Sequence, residues 1–353
     1  MDYGKHVFPI ILILVAGFLV TAAEPYVGNN TPELAEGFED EIIAKGFGGP
    51  TCLEWYDSET LLMCDRDKGR ILKFDKDFEY TVILDGLNHP HGLHITQDYI
   101  VVSQQGELER WNRVGWDFTN KTTLVDNVPT GNHQPNAVNA LENGTLLWHV
   151  GSTCNVCEEA DERNAAILWV DIETSEHGIY VNGARNSFDG VLTPAGYFWT
   201  DNGRDWDGDH PPEEINLLIE GANYGWPNDE PETPVPEGTI GPVATWIPHS
   251  SVNGIDYRRA NSSLPGLDPS ETQVTLYATV YGSWNAIIPV GHEIIQIDLK
   301  LNDTTQEWES ETTSFAQDLG TPLPIAIHPD SGEIYYATFG QNGQLRHISM
   351  SQK

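Results

Sequence analysis

Residues 50–74, PTCLEWYDSETLLMCDRDKGRILKF, decide the fold. A proline opens a short run from Thr51 to Tyr56. A polar turn, Asp57-Ser58-Glu59, leads into the apolar stretch Leu61-Leu62-Met63-Cys64. A second turn, Asp65 to Gly69, leads into Arg70-Ile71-Leu72-Lys73-Phe74. Three short strands joined by two polar turns satisfy this pattern, and no helical period does. The same order returns in residues 90–111, PHGLHITQDYIVVSQQGELERW, and in 324–350, PIAIHPDSGEIYYATFGQNGQLRHISM. Longer versions open at Pro135, Gly190 and Pro248. The six openings are about 40, 45, 55, 58 and 76 residues apart. Strand–turn–strand units at such spacing predict an all-β fold, a six-bladed β-propeller over residues 40–353. The uneven spacing places insertions mainly after the fourth and fifth units. A closed ring lets so long a chain form one domain.

The totals agree with a folded, acidic, turn-rich chain. Of 353 residues, 39% are hydrophobic, which suffices for a large core, and 33 Gly with 22 Pro favour turns. A net charge of -35, from 53 Asp and Glu against 18 Lys and Arg, excludes nucleic acid as a partner. It also disfavours an anionic membrane surface, and suits a protein kept hydrated in salt.

Residues 1–23 read as a secretory signal peptide. Lys5 precedes an apolar run from Val7 to Val20, short for a membrane span, and Thr21-Ala22-Ala23 offers small residues for cleavage. Residues 24–39 read as a polar tether. The expected location is secreted or extracytoplasmic, with membrane attachment only through an uncleaved N-terminus. Four cysteines in an exported chain suggest disulfides. Cys52 and Cys64 flank one predicted hairpin. Cys154 and Cys157 form a C-x-x-C in a loop, which suits a structural staple better than a redox pair.

Three stretches carry candidate chemistry. His133 in Thr130-Gly131-Asn132-His133-Gln134-Pro135 enters a predicted strand, and a near-neutral imidazole is the commonest general base. Arg185 in Asn182-Gly183-Ala184-Arg185-Asn186 sits in a tight loop of a chain with few cations, and suits clamping a carboxylate or polarising an oxygen. Asp201-Asn202-Gly203-Arg204-Asp205-Trp206-Asp207-Gly208-Asp209, followed by Glu213 and Glu214, is dense in the oxygen ligands that Ca²⁺ prefers.

These stretches occur together and in order, and the chain resembles the glucose/sorbosone dehydrogenase family of soluble six-bladed propellers. The branch most similar is the L-sorbosone dehydrogenase-like one. The resemblance runs from about Leu87 to the C-terminus and is densest from Gly131 to Pro227. It rests on GNH, GSTCNVCEEADERNAAI, GARN, TDNGRD, PPEEIN and GANYGWP, with weaker support at Asn88 to Leu93 and Gly282-Ser283-Trp284-Asn285. It implies a sugar dehydrogenase that uses pyrroloquinoline quinone (PQQ) and Ca²⁺ and passes electrons to an external acceptor. It implies His133 as the base and Arg185 and Asn186 beside the quinone, with Trp284 also at the cofactor. Gly203 and Arg204 would offer backbone carbonyls to the catalytic Ca²⁺, and Glu214 and Tyr224 would hold a further Ca²⁺. Tyr281 and Ala286 stand where the branch usually has His and Arg, and Thr321 where it has Arg. Those departures motivate an alternative, a non-enzymatic propeller that binds a carbohydrate or protein. A third class, a Ca²⁺-dependent hydrolase or lactonase, requires side-chain ligands from several blades.

Overall fold

The computed structural model describes residues 31–351 except 206–207, 261 and 284–287. Six antiparallel sheets surround a central channel. Blade 1 comprises Pro50–Asp57, Thr60–Asp65, Arg70–Phe74 and Tyr80–Leu84. The innermost strands of blades 2 to 6 are Gly92–Ile95, Pro135–Ala140, Ser187–Thr193, Val252–Tyr257 and Pro322–Ile327. Each packs against the innermost strand on either side, so the ring closes. All six begin within four residues of the openings expected at 50, 90, 135, 190, 248 and 324. The extra length of the fourth and fifth units lies in loops 218–243, 258–272 and 281–292.

The N-terminal segment completes the ring. Phe38–Phe47 is the outermost strand of blade 6, antiparallel to Gly343–Met350. Glu33–Leu34 adds a fifth strand to blade 5 by pairing with Ala316 and Gln317. Residues 33–34 and 38–39, expected in the polar tether, are therefore part of the propeller. An edge strand keeps its polar side chains in water and buries few apolar ones, and so has the composition of a linker. Here Phe38 supplies the anchor, edge-on to Phe315 with ring centroids 5.1 Å apart. The expected signal peptide, residues 1–23, lies outside the described residues. Among those described, no helix is long and apolar enough to cross a membrane.

The core is divided into six apolar clusters, one between each pair of adjacent blades. Between blades 2 and 3, Trp148 is fully buried against a cluster that includes Val101, Leu108, Val138 and Leu168. Its Nε1–H donates to Ser103 Oγ at 2.8 Å. Trp148→Ala is expected to cost about 3–5 kcal/mol, because a rigid interface cannot collapse into so large a void. Urea unfolding measures this, and a loss below about 1 kcal/mol would contradict the packing described. Carboxylates latch the inner ring as well. Asp256 Oδ2 accepts from the Ile327 amide at 2.7 Å and Asp189 Oδ2 from the Ile255 amide at 3.5 Å. Burial pushes the Asp189 carboxyl up to about 7.

Both expected disulfides are present, Cys52–Cys64 across the first hairpin and Cys154–Cys157 within its loop.

Candidate active site at one mouth of the channel

In an antiparallel blade, the connection into the innermost strand and the one from the second to the third strand emerge on the same face. The candidate residues come from these two sets of connections. His133 precedes the innermost strand of blade 3, Arg185 and Asn186 that of blade 4, and Ser251 that of blade 5. Gly203 and Asp205 follow the second strand of blade 4, Tyr281 and Gly282 that of blade 5, and Asn155 that of blade 3. Together they line a cavity of about 560 Å³. It adjoins a second space of about 620 Å³ that shares His133, Asn186 and Tyr281 and reaches Arg66 and Phe339.

The protonation of His133 follows from its neighbours. Ser152 Oγ donates its only proton to the Cys154 carbonyl at 2.7 Å. It lies 2.9 Å from His133 Nδ1, so it can only accept there, and Nδ1 carries the hydrogen. The Ser152 carbonyl, 3.2 Å from the same nitrogen, has the same requirement. Nε2 is therefore the basic nitrogen. Burial, and then the charge of Arg185, push the His133 pKa down to about 3, against a small upward effect of the Ser152 backbone. The ring should remain neutral from pH 7 down to about 4 and gain a proton only as pH falls further. Nitrogen-15 NMR of the cofactor-free protein at pH 5 should show the neutral Nδ1–H tautomer. A titration centred near the ordinary value of 6.5 would contradict this environment.

Arg185 is 4% exposed, and four contacts hold its guanidinium. Nε donates to the Asn155 carbonyl at 3.1 Å and Nη1 to the Asn202 carbonyl at 3.1 Å. Nη2 reaches Asn155 Oδ1 at 2.8 Å and Asp205 Oδ2 at 3.3 Å. The backbone beneath is held by Asp201, which accepts from the amides of Arg185 at 2.9 Å and Asn186 at 2.7 Å. Burial lowers the arginine pKa, and Asp205, Asp201 and Glu213 oppose that shift. The guanidinium stays charged, since its reference value is so high.

Buried carboxyls surround this cation. Burial pushes Glu213 and Glu214 up to about 7 and Asp201 well above the usual carboxylate range. Glu213 lines the cavity, is 2% exposed, and its Oε2 has no hydrogen-bond partner among the described residues. Backbone amides of Ser251, Val252 and Gly203 donate to this carboxyl; an oxygen left without a donor is costly unless a proton or a cation meets it, and a carboxyl raised to about 7 can take either. Gly203 lies close by. A Cβ there would come within 2.7 Å of Pro211 Cγ and 3.1 Å of the Pro211 carbonyl oxygen. Only glycine lets the backbone pass this close. An acceptor-rich pocket of this kind suits Ca²⁺, which takes carboxylate and backbone oxygens together. Arg185 and Asn186 line this cavity and Arg66 the adjoining space, and these are the groups that could meet an anionic cofactor.

Arg204 does not line the cavity; its guanidinium pairs with Asp229 and Glu230 and reaches the Pro227 carbonyl. Glu214 and Tyr224, expected at a further Ca²⁺ apart from the catalytic one, line a small adjacent space together with Asp201 and Asp229. The Tyr224 hydroxyl donates to the Leu217 carbonyl at 2.5 Å. Trp284 lies outside the described residues. Among those described, the only His, Cys, Asp or Glu trio with converging ligand atoms is Cys154, Cys157 and Glu159, and both thiols are in a disulfide. The convergent side-chain set required by the hydrolase reading is therefore not found among them. Arg66, Ser152 and Asn155 were not singled out from the sequence, and Asn202 only as part of the acidic stretch. Of these, Ser152 and Asn155 carried a usable signal, Asn155 lying inside the C-x-x-C and Ser152 just before it.

The fold is that of soluble quinoprotein propellers of known structure. The holo PQQ domain of pyranose dehydrogenase from Coprinopsis cinerea superposes with a TM-score of 0.77 at 15% identity, covering 91% of this chain and 97% of that one. The PQQ-bound aldose sugar dehydrogenase of Streptomyces coelicolor superposes at 0.68 and 16% identity, covering 90% and 100%. In sequence, an uncharacterized protein of Borreliella burgdorferi is 26% identical over 268 residues, 69% of this chain and 68% of that protein. No family model matches the chain.

Proposed function

We propose that the protein is an exported, PQQ- and Ca²⁺-dependent dehydrogenase of an aldose or related sugar, of the glucose/sorbosone dehydrogenase type. The observation that carries this reading is the meeting of a neutral, oriented His133, a buried charged Arg185 and the unpartnered Glu213 Oε2 around one cavity. When bound, PQQ supplies a two-electron hydride acceptor and Ca²⁺ a Lewis acid on its quinone oxygens. The chain supplies the rest. His133 Nε2 removes the proton from the sugar hydroxyl, and the Nδ1–H bond to Ser152 steadies the imidazolium that forms. Arg185 offsets negative charge that develops beside it, inside a site that shields it from water. Glu213 and the Gly203 backbone would hold the cation, and Arg66, which lines the adjoining space, would add a further positive charge. Asn132 and Tyr281 line the cavity and can orient the sugar by hydrogen bonds. Burial raises the Tyr281 phenol, so it acts as a neutral hydroxyl. Export accords with the N-terminal signal-like segment and with two formed disulfides.

The test is reconstitution of the purified protein with PQQ and Ca²⁺, with dye reduction assayed on a panel of sugars. Saturable PQQ binding that requires Ca²⁺, together with sugar-dependent dye reduction, is expected. Carbohydrate binding without any PQQ binding would instead favour the non-enzymatic alternative, which Tyr281, in place of a cation, keeps open.

A further inference from the structure

We infer that Asn155 is a positioning residue that aims Arg185 at the cofactor, and that the Cys154–Cys157 staple exists to hold it there. The inference rests on the proposed function. Every polar group of Asn155 except its amide N–H is committed to the site. Its carbonyl accepts from Arg185 Nε at 3.1 Å and from Trp226 Nε1 at 3.1 Å. Its Oδ1 accepts from Arg185 Nη2 and from the Asp205 amide, both at 2.8 Å. Its Nδ2 donates to the Asp205 carbonyl at 3.2 Å. Two donors facing one side-chain atom and a carbonyl facing the other dictate the amide's orientation. One residue thus supplies two of the acceptors that fix the plane of the guanidinium. It also ties the blade 3 loop to the 202–205 segment of blade 4.

The contact from the backbone carbonyl lasts only while its loop keeps its shape, and residues 151–165 contain no strand. The disulfide, three residues in span, closes the loop directly around Asn155. The same loop reaches the base, because the Cys154 carbonyl takes the Ser152 hydroxyl proton and so directs Ser152 Oγ to His133 Nδ1. A single cross-linked turn therefore orients both groups on which the proposed chemistry depends. Supporting shells of this kind set the geometry of reacting groups, and small misplacements are expensive.

The test has two arms. In the cofactor-free protein, Asn155→Ala, which removes the Oδ1 acceptor of Arg185 Nη2, should speed hydrogen exchange at Nη2 by at least about tenfold, while Asn155→Asp, which keeps an acceptor there, should retain the protection. In the PQQ- and Ca²⁺-loaded protein, Asn155→Ala should lower kcat on the order of tenfold to a hundredfold and weaken PQQ binding, with the sugar KM and the melting temperature retained. Cys154→Ser/Cys157→Ser should act in the same direction. A merely structural role would move KM and thermal stability together. Unchanged exchange and unchanged kcat in Asn155→Ala, in a wild-type protein that binds PQQ, would overturn the assignment of Asn155 alone. Failure of the wild-type protein to bind PQQ would overturn both this inference and the proposed function.

Discussion

Replacing His133 by alanine in the PQQ- and Ca²⁺-loaded protein is expected to lower kcat by about a thousandfold, the scale of a lost general base. Cofactor affinity and folding should survive. His133 is half-buried at the cavity wall, so its truncation opens space toward solvent rather than inside a core. Its hydrogen bonds are to Ser152, whose hydroxyl keeps its bond to the Cys154 carbonyl when the ring is gone. His133→Gln, which retains a polar side chain but no base, should be nearly as slow. Single-turnover reduction of the bound quinone, followed by absorbance, reads the chemical step without product release. A rate within tenfold of wild type in either variant would remove His133 from the mechanism.

The second large effect is expected at Arg185. Arg185→Gln should lower turnover by a hundredfold to a thousandfold, the cost of removing a preorganised charge, and should weaken PQQ binding in equilibrium dialysis. It should also lower stability by about 3–5 kcal/mol, because a cation is lost from among buried carboxylates. Asp205, then Asp201 and Glu213, act most strongly on its charge. Lysine should not rescue, since Nε, Nη1 and Nη2 are all in use and an ammonium cannot reproduce that fork. Arg66 offers a graded control. Its side chain is 27% exposed and already pairs with Asp67 at 2.6 Å, so Arg66→Gln should weaken PQQ binding less than Arg185→Gln. Equal affinity for PQQ in Arg185→Gln and wild type would mean that the anion lies elsewhere.

The two large effects also mark how far the site was legible in advance. His133 and Arg185 stand in short, distinctive loops and could be singled out one at a time. The Arg204 side chain, for which the expected role was only that of its backbone carbonyl, was not legible in this way. It pairs with Asp229 and Glu230, which lie in the 218–243 loop. Nothing in residues 201–209 reveals that these acids return to meet it. The tether ended too late for a similar reason. Leu34, Ala35 and Phe38 are sparse apolar residues in a polar stretch, and their anchoring role requires a distant cluster that includes Phe315.

What the sequence alone determined is the set of local facts: the alternation of strands, the turns between them, six repeats, two short-range disulfides and the loops that carry His133 and Arg185. Each depends on residues close in the chain, whose backbone preferences and hydrophobic period act over a few positions. The tertiary structure alone decided which groups meet and in what charge state. Ring closure brings together Arg66 of blade 1, His133 and Asn155 of blade 3, Arg185 and Glu213 of blade 4, and Tyr281 of blade 5. Burial then holds the imidazole neutral and raises the carboxyls. Convergence and desolvation are properties of the packed ring, and no window of sequence contains them.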